Sequence, residues 1–64
     1  MNIPDKDNVA SVLVDGVMWS TEPRGEVTGW AAGEGWLSVP DFETFLDGAE
    51  DVIFYSPTGK QITG

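Results

Sequence analysis

The fold is decided by the segment SVPDFETFLDG, residues 38–48, which combines a helix start, one apolar helix face and a helix stop. Ser38 and Asp41 form a capping-box pattern, which predicts side-chain hydrogen bonds to the free amides of a first helical turn. Pro40 suits that turn, where no amide donor is needed. Gly48 is a typical helix stop. Four apolar residues recur at the spacing of one buried helix face: Phe42, Phe45, Leu46 and Ala49.

Before this helix, segments rich in β-branched and aromatic residues predict a three-stranded antiparallel meander. Residues 9–14 and 17–20 are separated by Asp15-Gly16, a dipeptide that favours the type I′ turn of a two-residue hairpin. A second turn is predicted at residues 22–25, where Pro23 and Gly25 suit its corners, and a third strand at residues 26–32. The alternative is one longer strand that runs through Asp15-Gly16 and uses only the second turn.

After the helix, residues 51–55 predict a buried strand, residues 56–59 a turn and residues 60–63 a short returning segment. We therefore expect an α+β fold, in which one α-helix packs on a face of an antiparallel sheet of three to five strands. Residues 1–8 are polar and without periodicity, so we expect a flexible arm there. The single domain would span residues 9–64.

Composition excludes most catalytic chemistry. The 64 residues include no Cys and no His, which removes thiolate nucleophiles, imidazole bases and zinc sites of the usual kind. We expect no enzyme activity, no metal and no cofactor. The polar start does not resemble a signal peptide, and no apolar run approaches the length of a membrane span. We therefore expect a cytoplasmic protein without a membrane partner.

The net charge of -8 is large for so short a chain, and it favours association with basic partners while repelling nucleic acid and anionic membranes. Acidity that serves solubility alone is the alternative. Three Trp, three Phe and one Tyr are enough to build a core and to supply the aromatic anchors of an interface. A binding protein is the simplest class that fits both features.

The predicted helix carries carboxylates where they lower its stability. Glu43 and Asp47 are four residues apart, so like charges lie on one flank, and Asp47 opposes the helix dipole near the C-terminal end. Such conflicts with local stability are expected at functional sites, although a solvated acidic face also explains them. Carboxylates beside apolar groups can imitate a nucleic-acid backbone, because proteins that bind DNA present grooves lined by Lys and Arg.

Two segments carry a resemblance to a known family. LSVPDFE, residues 37–43, followed by DVIF, residues 51–54, resembles the helix and last strand of the small dimeric uracil-DNA glycosylase inhibitors of some Bacillus phages. The chain departs from that family in having Leu46 where a helix Tyr stands. The resemblance implies contacts to the enzyme from Phe42, Glu43 and Leu46, within a dimer whose apolar pocket captures the enzyme's DNA-intercalating loop.

The hypothesis from sequence is a phage-type DNA mimic that occupies the DNA-binding groove of a host enzyme, uracil-DNA glycosylase first, and acts as a homodimer in the host cytoplasm. The expected partner-binding residues are Asp41, Phe42, Glu43, Phe45, Leu46, Asp47, Trp19 and Trp30. Two alternatives stay open. One is a DNA mimic against another target, such as an anti-CRISPR, anti-restriction or RNA-polymerase inhibitor. The other is a small phage structural or assembly protein.

Overall fold

The structure is a computed structural model that describes residues 2–62. One helix and six strands follow a short 3-10 helix, Lys6–Asn8. The strands are β1 (Ser11–Val14), β2 (Val17–Thr21), β3 (Gly29–Ala32), β4 (Gly35–Ser38), β5 (Val52–Tyr55) and β6 (Gln61–Ile62), and the helix α1 (Val39–Asp47) lies between β4 and β5. This confirms the predicted α+β class, with one strand more than expected. No helix among residues 2–62 is long and apolar enough to cross a membrane.

The six strands form one antiparallel sheet in the order β4-β3-β2-β1-β5-β6. The first four strands form a meander, and α1 then carries the chain back across the sheet to β5, which pairs with β1. This crossover places α1 on one face of the sheet, where it contacts β3 and β4. The other face, which we call the open face, has no helix on it in the described part of the chain.

The core lies between α1 and the sheet. Strand side chains alternate between the two faces, so Val12 and Val14 of β1 point toward the helix and are 0% and 2% exposed. Trp30 of β3 and Phe54 of β5 lie on the same face, and Phe42 and Leu46 reach down from α1. Among residues 2–62, the buried apolar side chains of this core are Ile3, Val9, Val12, Val14, Trp30, Phe42, Leu46 and Phe54.

The hairpin between β1 and β2 forms at Asp15-Gly16, as predicted. Both residues have positive φ, 46° and 86°, which is the requirement of a type I′ turn. Val14 pairs with Val17 directly across the turn. The alternative of one long strand through this dipeptide is therefore wrong.

Two other predictions near the meander need correction. The second turn centres on Gly25-Glu26, where Arg24 and Val27 exchange both backbone hydrogen bonds, and not on Pro23-Arg24. β4 was also missed, since residues 35–38 were expected only to lead into the helix. Gly33, with φ 58°, occupies the first corner of a two-residue turn, as type II′ hairpins require, so β3 and β4 pair directly.

The helix begins and ends close to the predicted residues, but its start is built differently. Ser38 makes no side-chain capping bond. It is still the last residue of β4, and the amide of Val39 donates to the Thr28 carbonyl at 3.3 Å. A neighbouring backbone segment therefore satisfies the first amide of the helix, and the expected side-chain bond from Ser38 does not form. Pro40 lies in the first turn and Gly48 is the C-cap, as expected.

The chain before β1 belongs to the folded domain. Ile3 is 6% exposed and Val9 is 5% exposed, and both pack in the core. Ile3 therefore ties the segment before β1 to the core, and the flexibility expected of residues 1–8 stays a prediction. The predicted segments β5, the turn at 56–59 and β6 are present, while Met1, Thr63 and Gly64 lie outside the described residues.

Asp15 has a second role beyond its turn. Its carboxylate accepts hydrogen bonds from the amides of Glu50 and Asp51, at 3.2 and 2.8 Å, which ties the loop after α1 to the first hairpin. Hydrogen bonds to a charged group contribute more than neutral ones. We expect Asp15→Ala to lower the free energy of unfolding by about 1.5 kcal/mol, because it removes these bonds and places Ala at positive φ.

Asp15→Asn is the matched variant, since Asn tolerates positive φ and keeps an oxygen acceptor. We expect it to lose roughly half as much stability as Asp15→Ala. Urea denaturation followed by tryptophan fluorescence measures both. Equal midpoints for Asp15→Ala and Asp15→Asn would contradict the role of the carboxylate as a tie between the two loops.

Candidate functional site

Three of the eight residues predicted to contact a partner are buried. Trp30 is 3% exposed, Phe42 0% and Leu46 1%. Their rings and methyl groups hold α1 on the sheet, so in this structure they present no surface to another protein. The expectation that they line an open apolar pocket is therefore corrected. Periodicity identified them as one helix face, and that face is used for folding.

Phe42 is the centre of an aromatic cluster formed by Trp19, Trp30, Phe42 and Phe45. Its ring stacks on Trp30 at 5.0 Å between centroids and contacts Trp19 at 5.3 Å. Phe45 lies at the outer edge of the cluster, 5.3 Å from Trp19 and 41% exposed. Phe45 is thus the aromatic residue of the helix that reaches the surface, and Trp19 is half-buried beside it.

The helix carboxylates do not form a single row. At 3.6 residues per turn, Asp41 is about 160° around the axis from Glu43 and about 120° from Asp47. Asp41 therefore lies on the Phe45 side of the helix, whereas Glu43 and Asp47 lie together on the opposite flank. Asp41 and Asp47 are exposed and Glu43 is half-buried. The predicted acidic helix surface is divided in two by the helix geometry.

Carboxylates from four separate segments lie instead at one end of the sheet. The turns Asp15-Gly16 and Gly33-Glu34 lie at the same end because β1 to β4 form an antiparallel meander. The C-terminal end of α1 and the start of β5 are brought to this end as well, as the bonds from Asp15 to residues 50 and 51 show. We call it the acidic end, and its exposed carboxylates belong to Asp15, Glu34, Asp47, Glu50 and Asp51.

The two basic side chains that the structure describes lie at the other end of the sheet. Arg24 is in the loop between β2 and β3, and Lys60 is in the turn between β5 and β6. The third base of the chain is Lys6, which precedes β1 in the sequence. Among the described residues, the acidic end therefore holds five carboxylates and no cation, so its potential is more negative than the net charge alone would indicate.

Apolar side chains are exposed beside these carboxylates. Val17 and Met18 follow the Asp15-Gly16 turn directly and are 51% and 46% exposed. Val17 points to the helix side of the sheet, where Phe45 and Trp19 also lie, whereas Met18 points to the open face. The acidic end thus combines negative charge with apolar groups within reach of one partner surface.

No group of three or more acidic, His or Cys side chains among the described residues is placed to hold a metal ion. A surface hollow of about 280 Å³ lies at the opposite end, between the chain before β1 and the sheet. Its lining has a single carboxylate, from Asp7, and two hydroxyls, from Thr21 and Thr28. This set offers neither a paired acid and base nor an activated nucleophile.

Sequence reasoning missed most of the acidic end. Of its five residues, only Asp47 was predicted to bind a partner, because the prediction followed the helix and not the sheet. The available signal was the hairpin order. In an antiparallel meander, the turn between β1 and β2 and the turn between β3 and β4 must lie at the same end of the sheet. This rule would have placed Glu34 at the same end as Asp15.

Comparisons with protein-family models, with curated protein sequences and with solved structures find no match to this chain.

Proposed function

We propose that this protein is a DNA-mimicking inhibitor that performs no chemistry and inserts its acidic end into the Lys/Arg-lined groove of a host DNA-binding enzyme in the cytoplasm. The charge distribution carries the proposal: five exposed carboxylates from four segments lie at one end, and Arg24 and Lys60 lie at the other. The other six carboxylates of the chain lie outside the acidic end, where Arg24 and Lys60 are interspersed with them, so the excess of negative charge is greatest at the acidic end. Acidity that serves solubility alone does not require such a difference between the two ends.

The physical basis is electrostatic steering followed by apolar contact. A basic groove attracts an anionic surface over several ångströms, and this attraction raises the association rate more than it raises the intrinsic affinity. Val17, Met18 and Phe45 then supply the apolar contact area that slows dissociation. Carboxylates would stand for phosphates and the apolar groups for the bases beside them.

Uracil-DNA glycosylase is the first target to test. Such an enzyme extrudes the uracil from the duplex and must hold the DNA backbone while it does so. The resemblance of residues 37–54 to known glycosylase inhibitors supports this choice. Of the three contact residues implied by that resemblance, Phe42 and Leu46 are buried and Glu43 retains exposed surface. We therefore assign the apolar part of the contact to Phe45, Trp19 and Val17.

The experiment is a uracil-excision assay on a duplex oligonucleotide with increasing amounts of the protein. We expect inhibition that weakens as salt is raised, because salt screens the charges across the interface. Glu34→Lys reverses one charge at the acidic end and should weaken inhibition at least about fivefold at low salt, since one contact pair of exposed charges is worth about 1 kcal/mol.

Glu26→Lys is the matched control. It is also exposed, also lies in a turn and makes the same change in net charge, but at the opposite end of the sheet. We expect it to change inhibition much less. Equal effects of Glu34→Lys and Glu26→Lys would contradict a role for the acidic end and would favour an effect of net charge alone.

Unchanged uracil excision by several glycosylases at a large molar excess of the protein rejects this target. The same two variants then identify another one. A protein captured from a bacterial lysate by the native chain and by Glu26→Lys, but not by Glu34→Lys, would point to a different DNA-binding enzyme, such as a CRISPR effector, a restriction enzyme or RNA polymerase.

A further inference from the structure

The hollow between the segment before β1 and the sheet, with a volume of about 280 Å³, lies on the face that carries α1. Its lining comes from the start of the chain, from the region of β2 and β3 and from the first residue of α1: Ile3, Asp7, Thr21, Thr28, Trp30 and Val39. The hollow lies at the end of the sheet opposite to the acidic end. The proposed inhibition assigns no contact to any of these residues.

Folding fixes the walls of this hollow. Thr21 and Trp30 pair across β2 and β3, and Thr28 lies two residues before Trp30, so the alternation of side chains places all three on one face. The Thr28 carbonyl accepts the amide of Val39 at 3.3 Å, which holds the start of α1 beside them. Ile3 packs in the core and anchors the segment before β1 over the sheet. The hollow is therefore formed without a ligand.

The polar groups of the hollow are three oxygen-bearing side chains, those of Asp7, Thr21 and Thr28. All three residues are exposed. Within residues 2–62, none of these side chains makes a hydrogen bond or an ion pair. A carboxylate accepts hydrogen bonds and a hydroxyl can accept them, so all three groups can serve a ligand that donates.

The surrounding charge favours a cation. Asp7 lines the hollow, and no basic side chain of the described residues does. The six carboxylates outside the acidic end outnumber the three bases of the whole chain, so the potential here is negative and repels anions. An exposed aromatic ring would favour a flat ligand such as a guanidinium group, which stacks on ring faces. Trp30 is 3% exposed and its ring stacks on Phe42, so it offers no such face.

We propose that this hollow binds a primary ammonium group on a short aliphatic stem, with Asp7 as its counter-ion and Thr21 and Thr28 as further hydrogen-bond acceptors. An ammonium group has three donors and no acceptor, which matches three oxygen-bearing side chains. The apolar lining from Ile3 and Val39 suits the stem, because methylene groups pack on apolar surface while the charged head stays in polar surroundings. A lysine side chain of another protein and a free alkylamine share this chemistry.

The size of the hollow predicts weak binding of a small ligand. Pockets for drug-sized ligands begin at about 300 Å³, which is slightly more than this hollow provides. A ligand with five heavy atoms should reach a dissociation constant of roughly 1 mM. Because Asp7 is exposed, salt should weaken the binding. Occupation of the hollow does not depend on which enzyme the acidic end binds, since the two sites lie at opposite ends.

Titration of the full chain with butylammonium chloride, followed by nitrogen-edited NMR at constant ionic strength, tests the proposal. We expect saturable shifts of the Thr21 and Thr28 amide resonances and of the Trp30 indole resonance. Tetramethylammonium has the same charge but no donor, and 1-butanol has the same stem but no charge. Each should bind at least about fivefold more weakly than butylammonium, since it lacks part of the ammonium contact. Equal binding of tetramethylammonium and butylammonium would overturn the proposal, because it would show attraction to negative charge alone.

Asp7→Asn removes the counter-ion and keeps the shape of the side chain, so it should weaken butylammonium binding about fivefold. Asp5→Asn is the matched control. Asp5 is exposed, lies in the same segment and gives the same change in net charge, and Asn tolerates its positive φ of 46°. Its side chain lines a different hollow, with Asn2 and Glu43. We expect little change in binding, and equal losses in the two variants would contradict direct contact with Asp7.

Thr28→Val is a second variant, which keeps the branched shape and removes one acceptor. We expect butylammonium binding to weaken about threefold, the effect of one lost hydrogen bond. Its Tm should stay close to that of the native chain, because the Thr28 hydroxyl makes no hydrogen bond within residues 2–62. Native binding by Thr28→Val, with the fold intact by circular dichroism, would overturn the assigned set of acceptors even if Asp7→Asn does not fold.

A parallel titration with Nα-acetyl-lysine amide distinguishes the two sources of the ammonium group. This probe carries the same group on a four-carbon stem attached to a peptide backbone. Binding as tight as that of butylammonium supports the proposal with a lysine side chain of another protein as the ligand. Binding of butylammonium alone supports it with a free alkylamine. Absence of a saturable shift with both probes would overturn the proposal.

Discussion

Phe42→Ala is expected to leave most of the chain unfolded at room temperature. Phe42 is completely buried, stacks on Trp30 and contacts Trp19, so its removal leaves a cavity at the centre of the aromatic cluster. Replacing a buried Phe with Ala costs about 3–5 kcal/mol. A domain of this size rarely has more than about 3–5 kcal/mol of stability in total. Circular dichroism and urea denaturation measure the loss.

Phe45→Ala is the control for this prediction, because it removes the same ring one helical turn later in the same cluster. Phe45 is 41% exposed, so its loss leaves a gap that water can fill. We expect a cost of about 1 kcal/mol, which is the value of an aromatic contact beyond its buried area. If both variants unfold equally, Phe45 is a core residue and is unavailable for binding a partner.

Gly29→Ala is expected to be the other severe substitution. A Cβ at Gly29 would meet the indole of Trp36, with Cε2 at 2.5 Å, and the Leu37 carbonyl oxygen at 2.7 Å. The indole cannot easily withdraw, because its Nε1 donates to the Glu22 carbonyl at 2.7 Å and Arg24 lies over its ring. Overpacking of this kind costs about 1–3 kcal/mol, and the backbone contact favours the upper value.

A loss of about 3 kcal/mol should lower the Tm of a domain of this size by roughly 10–20 °C. Gly35→Ala is the control in the adjacent strand. Its Cβ would lie 3.4 Å from the Ala32 carbonyl oxygen and 3.8 Å from Trp19, which are ordinary contacts. We expect a Tm close to that of the native chain. Equal melting of the two variants would mean that Trp36 does not hold the position described.

The local elements were predictable because short-range chemistry sets them. Asp-Gly supplies two residues that accept positive φ, so these two residues favoured the first hairpin over the alternative of one long strand. The helix followed from the spacing of Phe42 and Leu46 and from the stop at Gly48. β4 was missed because Trp36 and Leu37 are flanked by glycines and by a helix start. Its four residues are too few to show the alternation of apolar and polar side chains that identifies a strand.

The candidate site could not be predicted in the same way, because contacts distant in the sequence create it. Asp15 and Asp51 are 36 residues apart, and the carboxylate of one accepts a hydrogen bond from the amide of the other. Glu34 joins them through the order of the hairpins. Composition indicates how many carboxylates the chain has, but strand order decides which of them share a surface.

Sequence alone was enough for the α+β class, the helix, the last two strands and the excess of negative charge, and it left the first hairpin as one of two alternatives. Each of these depends on neighbouring residues or on a simple count. The tertiary structure decided that Phe42, Leu46 and Trp30 belong to the core. It also decided that the amide of Val39 donates to Thr28 at the helix start, and that the helix of residues 2–62 covers one face of the sheet and not the other. The physical reason is the crossover of α1. The helix carries the chain from the edge strand β4 to β5, which lies on the far side of β1, and the face it crosses becomes the covered face.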